Sequence, residues 1–284
     1  MERRVLGRTG EWLSVVGFGG IVVRNETPDA ASAYVREAIE RGINYFDVAP
    51  SYGNAEERLG PALEPYRDQV FLACKTEKRD REAAAAELSA SLERLRTDHF
   101  DLYQFHAVRK LEEVEGILGP GGAMEAFLEA RRRGLIRYIG FSAHSEEAAV
   151  AMMDQFDFDS VLFPLSWVAW YRGGFGPRVV EKAQERGVGL LALKALAKRK
   201  LEEGEDRPWA KSWYGPVESY QEALWGLRFT LSLPVTAAVS PGHAELLWWM
   251  ADAAEEFEPL SDEEQAKLAE MAKGLTPIFP QVYA

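Results

Sequence analysis

With 284 residues, 47% of them hydrophobic and 27% charged, the chain is long enough to bury a large core, and its composition does not call for disorder. A formal net charge of -12, from 45 acidic against 33 basic residues, argues against a phosphate-backbone partner, so nucleic acid is not expected. The single cysteine, Cys74, excludes an intrachain disulfide, cannot by itself hold a structural zinc or an iron–sulfur cluster, and fits a reducing compartment.

The chain starts Met1-Glu2-Arg3-Arg4-Val5-Leu6, which leads into a turn and not into an apolar targeting segment. Val5-Leu6 and Trp12-Leu13 flank Gly7-Arg8-Thr9-Gly10 and predict a hairpin. Apolar runs then recur at residues 15–20, 44–48, 70–75, 101–106, 136–141, 160–163, 188–193 and 235–239, which read as eight strands. Amphipathic stretches of helical period lie between them, at 31–41, 81–95, 123–133, 146–153, 179–186 and 219–231. Gly42, Gly134 and Gly187 each close a charged turn before a strand, where a helix C-terminus wants a residue that tolerates positive φ. Strand alternating with helix predicts a parallel sheet, and eight such strands read as one (β/α)8 TIM barrel. The expected organisation is one domain over residues 1–284, the hairpin closing the bottom of the barrel. No run approaches the roughly 20 apolar residues of a membrane helix. The expected location is cytoplasmic, without a membrane partner.

Four residues at or just beyond strand ends carry chemistry: Asp47, Tyr52, Lys75 and His106. Parallel barrels place their chemistry at the C-terminal rim, where these side chains would meet. A phenol titrates near pH 10, so a catalytic tyrosine needs a neighbour that favours its phenolate, and Lys75 is that neighbour. Asp47 can keep the ammonium charged and in place, and His106 can hydrogen-bond a carbonyl under reduction. Of the other histidines, His99 reads as a surface residue at the bottom, and His144 follows a strand on the catalytic side. No His-x3-His or Cys-x2-Cys spacing occurs, so no metal is expected.

The chain resembles the aldo-keto reductase family over nearly its whole length. The resemblance rests on Leu6-Gly7-Arg8-Thr9-Gly10 with Val16-Gly17-Phe18-Gly19-Gly20, on Asn44-Tyr45-Phe46-Asp47-Val48-Ala49-Pro50-Ser51-Tyr52-Gly53 with Glu56, and on Lys75. Leu102-Tyr103-Gln104-Phe105-His106 and Ile139-Gly140-Phe141-Ser142 complete it. It implies a nicotinamide-dependent barrel with Asp47, Tyr52, Lys75 and His106 as its catalytic tetrad, NADPH or NADH as cofactor and a small-molecule carbonyl substrate. The resemblance also implies cofactor contacts at Gly20, Ile21, Ser142 and Leu196. Three positions depart from the family's pattern: Ala143 stands where asparagine is common, Leu162 or Phe163 where glutamine is, and Lys194 where a tyrosine stacks on the nicotinamide.

Lys194 ends the seventh strand, near where a pyrophosphate would lie, and Lys198-Arg199-Lys200 adds positive charge beyond it. Ser240-Pro241-Gly242-His243 leads into a helix starting near Ala244, so Ser240 and Gly242 border a helix N-terminus able to hold an anion. Residues 244–252 contain no Lys or Arg to neutralise a 2′-phosphate, and Asp252 would oppose one, which gives NADH weight beside NADPH. Trp167, Trp170, Tyr171 and Phe175 after the sixth strand, with Trp209, Trp213 and Tyr214 after the seventh, are expected to form aromatic walls. Leu246-Leu247-Trp248-Trp249-Met250 is expected to pack onto the barrel. The expected function is reduction of an aldehyde or ketone to an alcohol; the alternative is a dinucleotide-binding regulatory protein on the same barrel. Oligomeric state is not legible.

Overall fold

The computed structural model describes residues 1–281. Strands β1 (Arg3–Val5) and β2 (Trp12–Ser14) pair antiparallel as the expected hairpin, with Val5 opposite Trp12. The barrel strands follow as β3 (Val16–Gly19), β4 (Tyr45–Asp47), β5 (Phe71–Thr76), β6 (Phe100–Val108), β7 (Ile136–Ala143), β8 (Ser160–Pro164) and β9 (Gly189–Leu193). A small antiparallel pair, β10 (Ala197–Arg199) and β11 (Gly215–Pro216), precedes the last barrel strand, β12 (Ala237–Val239). All eight barrel pairings are parallel, and β12 bonds both β3 and β9, which closes the barrel. The eight expected strands are all present. The first ends early because Gly20–Val23 turns into a 3-10 helix.

The helices are α1 (Pro28–Glu40), α2 (Ala55–Leu63), α3 (Arg81–Arg94), α4 (Leu111–Leu118), α5 (Ala123–Arg132), α6 (Glu146–Gln155), α7 (Trp167–Tyr171), α8 (Pro177–Arg186), α9 (Tyr220–Ser232), α10 (Ala244–Glu255) and α11 (Asp262–Ala272). Side chains written into the sequence start many of them. Thr27, Asp80, Ser145, Ser219 and Ser261 each accept a hydrogen bond from a first-turn N–H, satisfying a donor the helix leaves open. Gly42, Gly134 and Gly187 have φ of 83°, 75° and 64°, as expected of residues at helix ends. Helix α2 lies outside the expected helical stretches and carries Gly60 and Pro61 inside it. Gly60 is required there, since a Cβ would stand 2.4 Å from the Arg94 carbonyl of α3.

Helices cover the outer face of each strand and side chains fill the inside, which is why the strands read as continuous apolar runs. Inside, Tyr45, Phe71, Leu102, Leu162, Leu191 and Ala237 belong to one apolar cluster, and Leu6 and Leu13 of the hairpin segment join it. Arg8 bonds the Phe158 carbonyl and the Tyr138 hydroxyl bonds the Thr9 carbonyl, tying the hairpin loop to residues at or just before strand starts. The bottom of the barrel is thereby closed.

Candidate active site

A cavity of about 530 Å3 opens at the opposite end, among the C-terminal ends of the strands. Every barrel strand reaches it, through Gly19, Asp47, Lys75, His106, Ser142, Leu162, Leu193 and Val239. Alternation along the strands explains which side chains arrive. Tyr45 and Asp47 share a face of β4, as do Phe71, Ala73 and Lys75 on β5, and Leu102, Gln104 and His106 on β6. The apolar members fill the barrel, and one step nearer the rim the same faces turn polar.

Lys75 and Asp47 form a buried ion pair, and Asp47 is further held by Gln104 Nε2 at 3.1 Å and the Tyr45 hydroxyl at 3.3 Å. Lys75 Nζ also donates to the Val48 carbonyl at 3.4 Å. Burial pulls the Lys75 ammonium down, but Asp47 first, with Tyr52 and Cys74, offsets this and the net shift is upward, so the lysine stays charged. The ammonium lies 5.3 Å from the centroid of the Tyr52 ring. The expectation that Lys75 would bring this phenol toward neutrality holds in sign alone. Burial and the Asp47 charge push Tyr52 up, Lys75 pulls it down, and burial wins. Tyr52 is therefore protonated at neutral pH, the form a proton donor needs. Its ring stands edge-on to His106 at 5.8 Å.

His106 is pushed down to about 2, by burial first and then by Lys75 and the surrounding basic groups, so its imidazole is neutral. Its Nδ1 meets the Ser51 hydroxyl at 3.3 Å and Glu77 at 3.4 Å. The Ser51 hydroxyl can donate to Nδ1 or accept from it, whereas the Glu77 carboxylate only accepts, so these contacts fix the ring's position and not its tautomer. Just beyond, β6 breaks register and Ala107 takes a φ of 56°, and the Ser142 hydroxyl accepts the Ala107 N–H at 2.8 Å. Ser142 therefore stabilises the kink that sets His106 in place.

The structure brings Asp47, Tyr52, Lys75, His106, Ile21, Ser142, Lys194, Ser240 and Gly242 to one cavity and leaves out Gly20 and Leu196. Gly20 faces Val48, where a Cβ would stand 2.8 Å from its side chain, and Leu196 is packed in the core. Leu162 lines the cavity, whereas Phe163 stacks on Phe175 at 4.9 Å, which resolves which of the two faces inward. The expected aromatic walls need correction. Trp167, Trp170 and Tyr171 pack with Phe229, and Trp209 packs on Trp249. Trp213 and Tyr214 remain as walls, and Phe279, from the segment after the last helix, is added. Asp252 does not oppose a phosphate: it lies two turns into α10 and pairs with Arg41 at 2.6 Å. Lys198 pairs with Glu222 at 2.8 Å and Arg199 with Glu205, so neither swings over the cavity. Leu246, Leu247 and Met250 are buried, as expected of a run packed onto the barrel.

Gln104, Lys211, Phe279 and Arg109 escaped the sequence reading. Gln104 was detectable, since it lies two residues before His106 on the same strand face. Lys211 and Phe279 come from irregular segments without a periodic signal. Lys211 lines the cavity beside Gly242; its Nζ bonds Glu26 and the Val22 carbonyl, both at 2.6 Å, and its backbone N–H donates to His243 Nε2 at 3.0 Å. Helix α10 starts at this point without a side-chain cap, so its first-turn N–H groups are open to an anion. Ile21, Ser240, Gly242 and this helix end thus fit the phosphates of a dinucleotide that reaches the tetrad. No group of three or more His, Cys, Asp or Glu side chains is placed to hold a metal among the described residues, and no helix there is long and apolar enough to cross a membrane.

Comparison with known proteins agrees with this geometry. The chain is 28% identical over 227 residues to L-galactose dehydrogenase of Arabidopsis thaliana, covering 74% of this chain and 70% of that one. It is 34% identical over 166 residues to the aldo-keto reductase YhdN of Bacillus subtilis, covering 52% of this chain and 48% of that one. An uncharacterised oxidoreductase of the same bacterium, YqkF, is 34% identical over 157 residues, 50% of this chain and 49% of the relative, so both of these matches span about half of the relatives' length. Among solved structures, the holo form of aldo-keto reductase AKR11C1 from Bacillus halodurans superposes with a TM-score of 0.75 at 25% identity, over 98% of each chain. The model of the aldo/keto reductase family matches residues 15–273, from the first barrel strand through the last helix, and the chain belongs to that family of NAD(P)H-dependent oxidoreductases.

Proposed function

We propose that the protein reduces an aldehyde or ketone to an alcohol, with NADPH or NADH as the hydride source and Tyr52 as the proton donor. The observation that carries this reading is the buried Lys75–Asp47 pair beside a protonated Tyr52 and a neutral His106, all on one cavity. When bound, the reduced nicotinamide supplies the hydride to the carbonyl carbon. His106 Nε2–H orients the carbonyl oxygen, and Tyr52 transfers its hydroxyl proton to that oxygen as negative charge develops on it. Lys75 stabilises the resulting phenolate until solvent reprotonates it. Asp47, fixed by Gln104 and Tyr45, holds Lys75 charged and in place. The α10 N-terminus is assigned the pyrophosphate, beside Ser240 and Gly242; Lys211 borders Gly242 through its Cβ while its ammonium is paired with Glu26.

Titration of the purified protein with NADPH and with NADH, followed by tryptophan fluorescence, and then assay of an aldehyde panel tests the proposal. Binding accompanied by turnover supports it. Binding without turnover of any carbonyl would favour a regulatory dinucleotide-binding protein, a reading that Ala143, Leu162 and Lys194 at the nicotinamide positions keep in play.

A further inference from the structure

Four cationic side chains line the cavity: Lys75, Arg109, Lys194 and Lys211. Lys75 is paired with Asp47 and Lys211 with Glu26. Arg109 and Lys194 make no ion pair among the described residues, although the protein carries 45 acidic residues. Both charges, Arg109 exposed at the rim and Lys194 half-buried, bear on the same group, His144, which also lines the cavity. The imidazole of His144 is stacked on Phe279 at 5.2 Å, and its Nδ1 is buried without a partner among the described residues. Lys194 rests against aromatic faces, 4.3 Å from the Tyr214 centroid and 5.2 Å from that of Trp213. Its backbone takes a φ of 72°, a conformation a residue with a Cβ enters at a cost and one that clusters at functional positions. Lys194 is half-buried, and its ammonium meets aromatic faces and no carboxylate, which suits it to pair with an anionic ligand. The phosphates are accounted for elsewhere, at Ser240, Gly242 and the α10 N-terminus, so these two cations remain for the substrate.

We infer that the carbonyl substrate is an anion, whose carboxylate is held between Lys194 and Arg109 while its apolar body lies against Trp213, Tyr214 and Phe279. This rests on the reductase reading above and specifies its substrate class. The carboxylate does not change in the reaction; its role is to place the carbonyl beside Tyr52 and His106. Asp47 is the one acidic residue in the lining and is already held by Lys75, so the wall offers no carboxylate to repel such a substrate. Glu77, the acidic group nearest His106, lies outside the lining.

The test compares 4-carboxybenzaldehyde with its neutral methyl ester, which has the same ring and the same reacting carbonyl. The acid is expected to show a kcat/KM at least tenfold above the ester. Lys194→Met or Arg109→Met should lower the acid-to-ester ratio of kcat/KM by roughly tenfold or more, mostly through the KM of the acid, the scale of a lost charge-assisted hydrogen bond. Lys200→Met removes the same charge outside the cavity and should leave the acid-to-ester ratio unchanged. An ester as good as the acid, or a preference that survives both cavity substitutions, overturns the inference. If neither aldehyde turns over with NADPH or NADH, the reductase reading has failed on its own. Calorimetric titration with 4-(hydroxymethyl)benzoate then decides the anion site, because binding weakened by both cavity substitutions upholds it and binding indifferent to them, or none, overturns it.

Discussion

Tyr52 sits where opposing influences meet, with burial and Asp47 raising its phenol and Lys75 lowering it. Tyr52→Phe removes the transferable proton and little else, so turnover should fall by orders of magnitude while the dissociation constant for NADPH, read by fluorescence, barely changes. Full activity in that variant would remove Tyr52 from the chemistry. Lys75→Met should damage turnover comparably and also destabilise the fold, by about 3 to 5 kcal/mol, since it leaves Asp47 buried without its partner. The Asp47→Asn, Lys75→Met double variant should regain much of that stability in urea unfolding without regaining activity. The histidines add a pH dependence. His106 is held down to about 2 and His144 to about 4, in both cases by burial first. Each binds fewer protons folded than unfolded between that value and about 6.5, so stability rises with pH across that window and is lost as pH falls through it. Near pH 5 the slope approaches about 1.4 kcal/mol per unit for each group. The urea midpoint should therefore drop from pH 7 to pH 5, and a His106→Asn, His144→Asn variant should show a shallower drop. Equal slopes in the two proteins would show that neither imidazole is held neutral.

Among the elements, the hairpin and the start of β9 depend on a close backbone approach. Gly7 has a φ of 48°, and a Cβ there would stand 2.5 Å from the Gly189 backbone nitrogen; a Cβ on Gly189 would stand 2.5 Å from Leu6 Cδ1. Gly189→Ala must push Leu6 out of the inner apolar cluster, at a cost of about 1 to 3 kcal/mol by overpacking. Leu6→Ala instead leaves a cavity beneath the barrel and should cost about 2 to 5 kcal/mol. Both losses would appear in denaturant unfolding, with the Tyr52-dependent chemistry at the far end of the barrel nearly unaffected. A large fall in turnover from Gly189→Ala, without loss of stability, would mean that the two ends are coupled. A similar close fit operates nearer the site. Gly17 leaves room for the Tyr45 ring, which a Cβ would meet at 2.5 Å, and the Tyr45 hydroxyl holds Asp47.

Across the whole molecule, a protein of net charge -12 concentrates positive side chains in one cavity. An acidic surface repels an anionic dinucleotide at long range and the cavity attracts it at short range, and salt screens the first more than the second. Helix α10 offers no Lys or Arg to a 2′-phosphate, and Lys211 is already engaged with Glu26. Discrimination between the cofactors should accordingly be weak or should favour NADH, measured as the ratio of dissociation constants at low and moderate salt. A preference for NADPH of roughly a hundredfold, about 2.7 kcal/mol, that persists in salt would contradict this and point to a basic clamp. Arg24 is the residue to examine first in that case, because its Nε is buried without a partner among the described residues and its charge acts on His243 at the start of α10.

The amino-acid sequence by itself determined the barrel, because alternating apolar strands and capped amphipathic helices are local patterns, and it placed Asp47, Lys75 and His106 at strand ends on inward faces, which the structure brings to one cavity. Gln104 was within reach of the same parity argument. Tertiary structure alone decided which aromatics wall the cavity: Trp167, Trp170 and Tyr171 have the composition of a binding wall, yet pack against Phe229 in a satellite core. It also decided how the charges pair. Lys198 and Arg199 looked free in the chain but meet Glu222 and Glu205, while Lys211 arrives at the phosphate end from an irregular loop. Local pattern depends on a residue's neighbours in the chain, and these outcomes depend on neighbours brought in from distant segments when the barrel closes.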